Sequence, residues 1–596
     1  MRKGEGPVRY SPTPSPLKDS RNLWYNVLSE KRARRASPQE VCAMRQGVIL
    51  NAYPDSLGGN LGETARFLSL PALKDAFRGF YILPTLFNTD LDRGFSVISY
   101  DLCPSLARKE DLAALRNMGL ELMVDFILNH LSVLSPQFQD ILRRGDASPY
   151  RDFFIDWNRF WAGLGEMTEQ GYIQPRPDQF SARNLRKKTL PILMVRLPDG
   201  REAPYWNTFY QKVFYPRVDL FDLLEAAGGC YDTARRLAER VNGELALGHA
   251  PGEMDWTGFE DCRPAACQLL ESRRRYMGQM DVNIQSPLVW QWYDQVMGQL
   301  AGYGASTLRL DAYTRLHKAP GRANFMNEPE TWQILERLKE MAAAHGLSVL
   351  PEIHAPYAAG AYRKLAAQGC MTYDYFLPGL LIDALDMGDS AWLFAWAREL
   401  IDGGIRVVNM LGCHDGIPMR DLRGLLPDAR IDALADRIEA RGGRRKMIYG
   451  DHPEVYQMDG TYYSALGCDG AKMLLARAMQ LFMPGIPQVW YVDLLAGEND
   501  LTVFDREPGA DNREMNRRAY AFDEAAERLN LPLVAEQLRL LALRNTHPAF
   551  GEGAEVLAEQ PDAHSLRLTW RRGGAWAMLD ADFEALRFDV RHSKEA

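Results

Sequence analysis

Residues 306–312 read STLRLDA, a short β-forming run that closes on an arginine and an aspartate two positions apart. Seven further runs share its form: VILNAY (48–53), FYILPTL (80–86), LELMVDFILNH (120–130), SVLPEIHA (348–355), TYDYFLP (372–378), RVVNMLGCHDG (406–416) and IPQVWYV (486–492). Helical patterns lie between several of them. In 327–346 an Asn327-x-x-Glu330 capping signal precedes Trp332, Leu335, Leu338 and Ala342 at helical spacing, and Gly346 ends the pattern. Near-continuous apolar strands alternating with amphipathic helices predict a parallel sheet covered on both faces. Eight such units predict an α/β fold, a closed (β/α)8 TIM barrel.

Spacing then locates what has been added to the barrel. A βα unit needs about 30 to 40 residues. The 41 positions from Asp311 to Glu352 fit, whereas Asp125 to Asp311 spans 186. The excess is rich in Arg, Pro and aromatics (YIQPRPDQF, 172–180; YWNTFYQKVFYPRVDLFDLL, 205–224) and predicts a large lobe inserted after the third strand. A smaller insertion follows the seventh. After 545, SLRLTWRRGGAWAMLD alternates around Gly573-Gly574 as a β-hairpin does, which predicts a small C-terminal β domain. The expected organisation is a tail and helix (1–45), barrel (46–130), inserted lobe (131–285), barrel (286–415), second lobe (416–467), barrel (468–544) and β domain (545–596).

The 596 residues carry 70 Lys+Arg against 78 Asp+Glu, a net charge of −8, which argues against nucleic acid or anionic membrane as a partner. Eight scattered cysteines show no disulfide or zinc spacing. Basic residues at the N-terminus lead into no apolar segment, and no run reaches about 18 apolar residues. A cytoplasmic enzyme acting on small molecules is the expectation.

Four strand runs end on a carboxylate: Asp125, Asp311, Glu352 and Asp415. An interior strand end has little structural use for an acid, and in a TIM barrel these ends meet at the catalytic face. Paired carboxylates suit glycosidic chemistry, one as nucleophile or base and the other as proton donor to the leaving oxygen. Arg309 lies two residues before Asp311, so on the same strand face, where its charge is expected to hold that carboxylate ionised.

The set DFILNH (125–130), RLDA (309–312), EIH (352–354) and HD (414–415) resembles the four short motifs of the α-amylase family of glycoside hydrolases. ILPTLFNTDLDRGFSVISYD (82–101), HDGI (414–417), VYQMDGTYYSALG (455–467), PGIPQVWYVDLLAGEND (484–500) and NREMNRRAY (512–520) are more similar to its sucrose phosphorylase branch. The likeness covers roughly 46–545, much of 185–275 excepted. It implies a retaining phosphorylase that splits an α-glucoside (sucrose-like, glucosylglycerate, glucosylglycerol or a phosphorylated disaccharide) to α-glucose 1-phosphate, without metal or other cofactor. By the same resemblance Asp311 is the nucleophile, Glu352 the acid/base and Asp415 the third carboxylate. His130 and His414 would bond the glucosyl unit, Asp92 and Arg513 close its far end, and Phe95 stack on it. Arg176, His354, Tyr456 and Gln457 would form the phosphate set.

Three departures bear on the acceptor. Thr314-Arg315 stands where the branch usually has Gly-Tyr, and an arginine there suits an acidic or phosphorylated acceptor; the alternative is an arginine facing solvent. The stretch 185–275 has no counterpart in compact members. NREMN lacks the Gly and Asp that flank the pocket arginine in the sucrose-specific pattern. An α-glucosidase or transglucosylase on the same residues is the alternative enzyme. A catalytically silent barrel serving as a binding subunit is the alternative of another class, but it should have lost one of Asp311, Glu352 and Asp415, and all three are present.

Overall fold

The computed structural model describes residues 46–180, 189–448, 454–507 and 509–594. The expected tail and helix at 1–45 lie outside the described residues. Eight parallel strands form one sheet: β1 (Ile49–Ala52), β2 (Gly79–Ile82), β3 (Glu121–Ile127), β4 (Ala305–Asp311), β5 (Ser348–Pro351), β6 (Thr372–Asp374), β7 (Val407–Met410) and β8 (Ile486–Trp490). Their order is β5-β4-β3-β2-β1-β8-β7-β6, and β5 and β6 at the two ends lie in contact, which closes the barrel. All eight come from the eight apolar runs. Strands β1, β2, β7 and β8 are buried along their whole length, as expected where both faces of a sheet are covered.

The helix over Glu330–Ala344 buries Ile334, Leu335, Leu338 and Ala342 on one face. Its start differs from the expectation. Pro329 takes the capping position, and the side chain of Asn327 turns away to donate to the His317 carbonyl at 2.8 Å, so no capping box forms.

The first inserted lobe opens with the strand His130–Ser132, which pairs with Arg275–Asp281 and through it with Gln211–Phe214. Phe180 packs edge to face against Trp157, Trp161 and Trp206, and the three tryptophans stack or tilt on one another to form an aromatic core in this lobe. Helices Tyr231–Ala246 and Arg263–Ser272 bury a separate small core that includes Val218, Leu237, Val241, Trp256 and Leu270. The second insertion is a helix, Asp428–Ala440, beside a three-stranded antiparallel sheet of Ile417–Pro418, Glu454–Asp459 and Arg444–Ile448. The C-terminal unit is a four-stranded antiparallel sheet. Arg572 pairs with Ala575 in it, so Gly573-Gly574 form the two-residue turn, and Gly573 uses the left-handed conformation (φ 58°). Among the described residues no helix is long and apolar enough to cross a membrane.

Candidate active site

Strand pairing sets the centre of the site. β4 lies between β3 and β5, with Arg309 opposite Asp125 and Leu310 opposite Pro351. Arg309 and Asp311 alternate onto one face, and Glu352 follows the last residue of β5. Arg309 therefore stands among three acids: Nη1 donates to Asp125 Oδ1 at 2.7 Å and Asp311 Oδ1 at 3.0 Å, and Nη2 donates to Glu352 Oε1 at 2.6 Å. The arginine side chain is 3 % exposed, against 12 % for Asp311 and 13 % for Glu352, so the two carboxylates keep an opening that the cation lacks. Ala312 is forced into the left-handed region (φ 51°), and this turn aims its N–H at Glu352 Oε2, 3.3 Å away.

The electrostatics correct one expectation. Arg309 does pull the Asp311 carboxyl downward, but burial and then the charge of Glu352 push it well above the usual range. Two adjoining acids in a dry site resist a second negative charge, and here that resistance falls on Asp311. Burial likewise raises Asp125 to about 6 against the pull of Arg309, and the Tyr81 hydroxyl donates to both its oxygens at 2.8 and 2.9 Å.

Asp415 is treated differently. Burial would raise it, yet His414, Arg513, Lys446 and Arg517 together hold it well below the usual range. Arg513 Nη1 donates to Asp415 at 2.9 Å and Nη2 to Asp92 at 2.5 Å, which brings Asp92 and Arg513 together as expected. Gly416, next to Asp415, has φ +99°, and a Cβ there would lie 2.4 Å from the Met458 carbonyl, so the loop passes close only as glycine. Burial lowers His414, and its ring lies parallel to that of Phe95 with centroids 4.9 Å apart. One face of Phe95 is thus taken by His414. His130, lowered by burial, has Nε2 2.8 Å from the Phe95 carbonyl and its ring against Phe209.

His354 joins the carboxylates: single ligand atoms of Glu352, His354 and Asp415 all lie within 4.8 Å of one another. Such a spacing also suits a cation; Glu352 shares Arg309 with Asp125 and Asp311, and Asp415 shares Arg513 with Asp92 and Asp511. Tyr456 sets its ring edge-on to His354 at 5.8 Å. Gln457 donates to the Asp415 carbonyl and, at 2.7 Å, to Asp459. Arg315 does not point into open solvent: it is partly buried, its guanidinium 5.9 Å from the Phe209 ring and 5.3 Å from the Phe325 ring, with Nη1 donating to the Asn324 carbonyl at 2.9 Å. Arg176 is not drawn into the cluster. It is half exposed on the lobe, on the Gly163 carbonyl at 3.2 Å and 3.6 Å from Asp178.

Three participants escape the sequence reading. Arg517 is buried, donates to the His414 carbonyl at 2.9 Å and lies 3.8 Å from Asp415. Lys446 shares the electrostatic field of Asp415, Asp459 and Arg513. Asp421 meets His354 at 3.4 Å. A signal exists for Arg517 alone, four positions after Arg513 in the already recognised NREMNRR.

A (β/α)8 barrel with strand-end carboxylates spanned by one arginine, and an arginine and an aspartate at the opposite edge, defines a glycosidic-bond enzyme of the α-amylase type. No protein-family model matches the chain. It is 44 % identical to a sucrose 6(F)-phosphate phosphorylase of Ilumatobacter coccineus, over 92 % of this chain and 96 % of that one. A glucosylglycerol phosphorylase of Marinobacter adhaerens is 29 % identical, over 90 % and 95 %. The crystal structure of the sucrose 6F-phosphate phosphorylase from Thermoanaerobacter thermosaccharolyticum superposes with a TM-score of 0.75 at 30 % identity, covering 93 % of this chain and 96 % of that one. The chain belongs to the sucrose phosphorylase group of the α-amylase family, and it is a glycoside phosphorylase.

Proposed function

We propose that this phosphorylase works by retaining double displacement at Asp311 and Glu352, and that its donor is a sucrose phosphorylated on the fructosyl 6-hydroxyl. The observation that carries the mechanism is the Arg309 fork, which fixes one carboxylate from β4 and one from the end of β5 on a single guanidinium. Asp311 attacks the anomeric carbon while protonated Glu352 releases the fructosyl oxygen, giving a β-glucosyl ester. Phosphate then attacks the same face, Glu352 takes its proton, and α-glucose 1-phosphate leaves. Asp415, held ionised by Arg513, His414 and Arg517, bonds the sugar hydroxyls as positive charge develops on the ring. Asp92 with Arg513 closes the far end, so one glucosyl unit fits and a polymer does not. His130 and Phe95 complete that wall. His354, Tyr456 and Gln457 receive phosphate; Arg176, which stays on the lobe surface beside Asp178, is left out of the set that the resemblance implied.

Two lines support a phosphorylated leaving group: the names of the Ilumatobacter and Thermoanaerobacter relatives, and Arg315, a cation on the turn that follows the nucleophile. A guanidinium matches phosphate oxygens in pairs, whereas an uncharged ketose gives it little to hold. Both co-substrates are anions retained inside cells, and we place the enzyme in the cytoplasm. The test runs the reaction backwards, from α-glucose 1-phosphate with fructose 6-phosphate, fructose, glycerol or glycerate, and follows phosphate release against a water control. Fructose 6-phosphate should turn over at least about tenfold faster than any other acceptor. Faster turnover of an unphosphorylated acceptor rejects the donor assignment, and release equal to the water control rejects phosphorolysis.

A further inference from the structure

We infer that Asp421 is a positioning residue that holds His354 as an imidazolium turned toward Glu352, and that this fixed charge makes the site prefer phosphate to water in the second step. The inference rests on the reading of His354 as part of the phosphate set.

Asp421 comes from the second inserted lobe, on the short turn Arg420–Leu422. Its side chain is 3 % exposed, and Oδ2 lies 3.4 Å from His354 Nδ1. The neighbouring Arg420 donates to Glu454 at 2.6 Å, and Glu454 begins the strand that carries Tyr456, so the turn is anchored. The imidazole is held on its other sides as well. Its ring lies nearly flat on Tyr375 with centroids 3.8 Å apart, and Tyr456 meets it edge-on. With the plane fixed and Nδ1 facing a carboxylate, Nε2 has one direction left, and it sits 3.6 Å from Glu352 Oε1.

The groups around this ring are Asp421, Glu352, Asp415, Tyr375 and Tyr456. Burial alone would strip the proton from His354, but Asp421 and then Glu352 and Asp415 outweigh it and leave the imidazole above its ordinary value. The consequence differs for the two nucleophiles that compete for the glucosyl ester. Once Glu352 has given up its proton, an incoming phosphate faces the carboxylates of Glu352 and Asp415. A doubly charged ligand needs a compensating donor there. Water carries no charge and needs none. Loss of the Asp421 charge should therefore leave hydrolysis in place and weaken phosphorolysis, most of all at alkaline pH, where a neutral His354 is favoured.

The test compares wild type with Asp421→Asn, Asp421→Glu and His354→Gln. It measures KM for phosphate, KM for the glucoside, and the ratio of phosphorolysis to hydrolysis from about pH 6 to about pH 8. Asp421→Asn should raise the phosphate KM about tenfold near neutral pH, with partial recovery at the acid end, a glucoside KM within about twofold of wild type, and a larger hydrolytic share. Asp421→Glu should restore most of the phosphate affinity. Equal changes in both KM values, or a shift that does not depend on pH, overturns the inference. If Asp421→Asn does not fold, wild type against His354→Gln decides: phosphate KM in wild type should climb with pH more steeply than in the variant, and parallel profiles overturn the inference. If His354→Gln weakens phosphate and Asp421→Asn does not, the His354 reading stands and the role of Asp421 falls; if neither does, both fall.

Discussion

Replacing Arg309 by lysine keeps the charge and removes the fork. In the native site the guanidinium makes three charge-assisted hydrogen bonds, to Asp125, Asp311 and Glu352. Bonds of this type are worth roughly 1.5 to 3 kcal/mol each, and an ammonium at the end of a buried lysine can retain one of them well. Loss of the other two costs roughly 3 to 6 kcal/mol, a large share of the roughly 5 to 15 kcal/mol that holds a typical domain folded. The kinetic effect follows from position. The reacting carboxylates are set by one rigid plane, and a misplacement of about 1 Å costs on the order of 100-fold in rate. Arg309→Lys should therefore lower kcat by about 100-fold or more while the glucoside KM, set by Asp92, Arg513 and Asp415, moves by less than about fivefold. Thermal unfolding and steady-state phosphorolysis on the same preparation read both effects. A variant with wild-type kcat and an unchanged melting temperature would falsify the claim that the guanidinium organises the two carboxylates.

Asp311→Asn should abolish turnover with unchanged folding and glucoside binding, and wild-type turnover in that variant would remove the nucleophile from Asp311. Arg315→Ala should cost about tenfold or more in kcat/KM for fructose 6-phosphate and little for fructose; equal losses on both acceptors would make Arg315 a packing residue between Phe209 and Phe325. Asp125 carries a stability signature. Its carboxyl sits at about 6 in the folded protein against an ordinary 3.8, so folding takes up a proton between those values. Stability from this group is complete below about pH 4 and falls by roughly 3 kcal/mol as pH rises to about 6 and beyond. Asp125→Asn should flatten that part of the urea-midpoint profile, and a steeper fall in the variant than in wild type would contradict the assignment.

The barrel is legible in the sequence because its signal is redundant. Each strand is a compact apolar run, and most runs end in a polar residue or turn that a buried parallel strand does not otherwise require. The carboxylates are legible for the same reason: strand register and period two place Arg309 and Asp311 on one face before any coordinates exist. What fails does so through long-range context. Asn327 offers a good cap in isolation, yet Pro329 and the His317 carbonyl take over its position and its side chain. The expected ionisation of Asp311 considers one neighbour, Arg309, and omits Glu352, which lies 41 positions away in the chain and in contact through the same guanidinium. Asp421 and Lys446 sit in inserted segments with no strand end to mark them.

The placement of the groups divides the work between barrel and insertions. Asp311 and Glu352 stand at the ends of adjacent strands, where backbone pairing at about 4.8 Å fixes their separation before any side chain packs. Asp415 follows β7, and Arg513 follows β8 and reaches both it and Asp92. Most groups assigned to the glucosyl unit thus come from the barrel strands and the segments that follow them, with His130 at the very start of the first lobe. The acceptor side is built from other material: Phe209 from the first lobe, Tyr456, Gln457 and Asp421 from the second, and Arg315 from the turn after the nucleophile. Arg315 is tied to the first lobe through Phe209, which also faces His130. Substitutions in the two lobes should therefore change which nucleophile and which leaving group are accepted, at a nearly constant requirement for α-glucose. Substitutions at the strand ends should remove all activities together, whatever the acceptor.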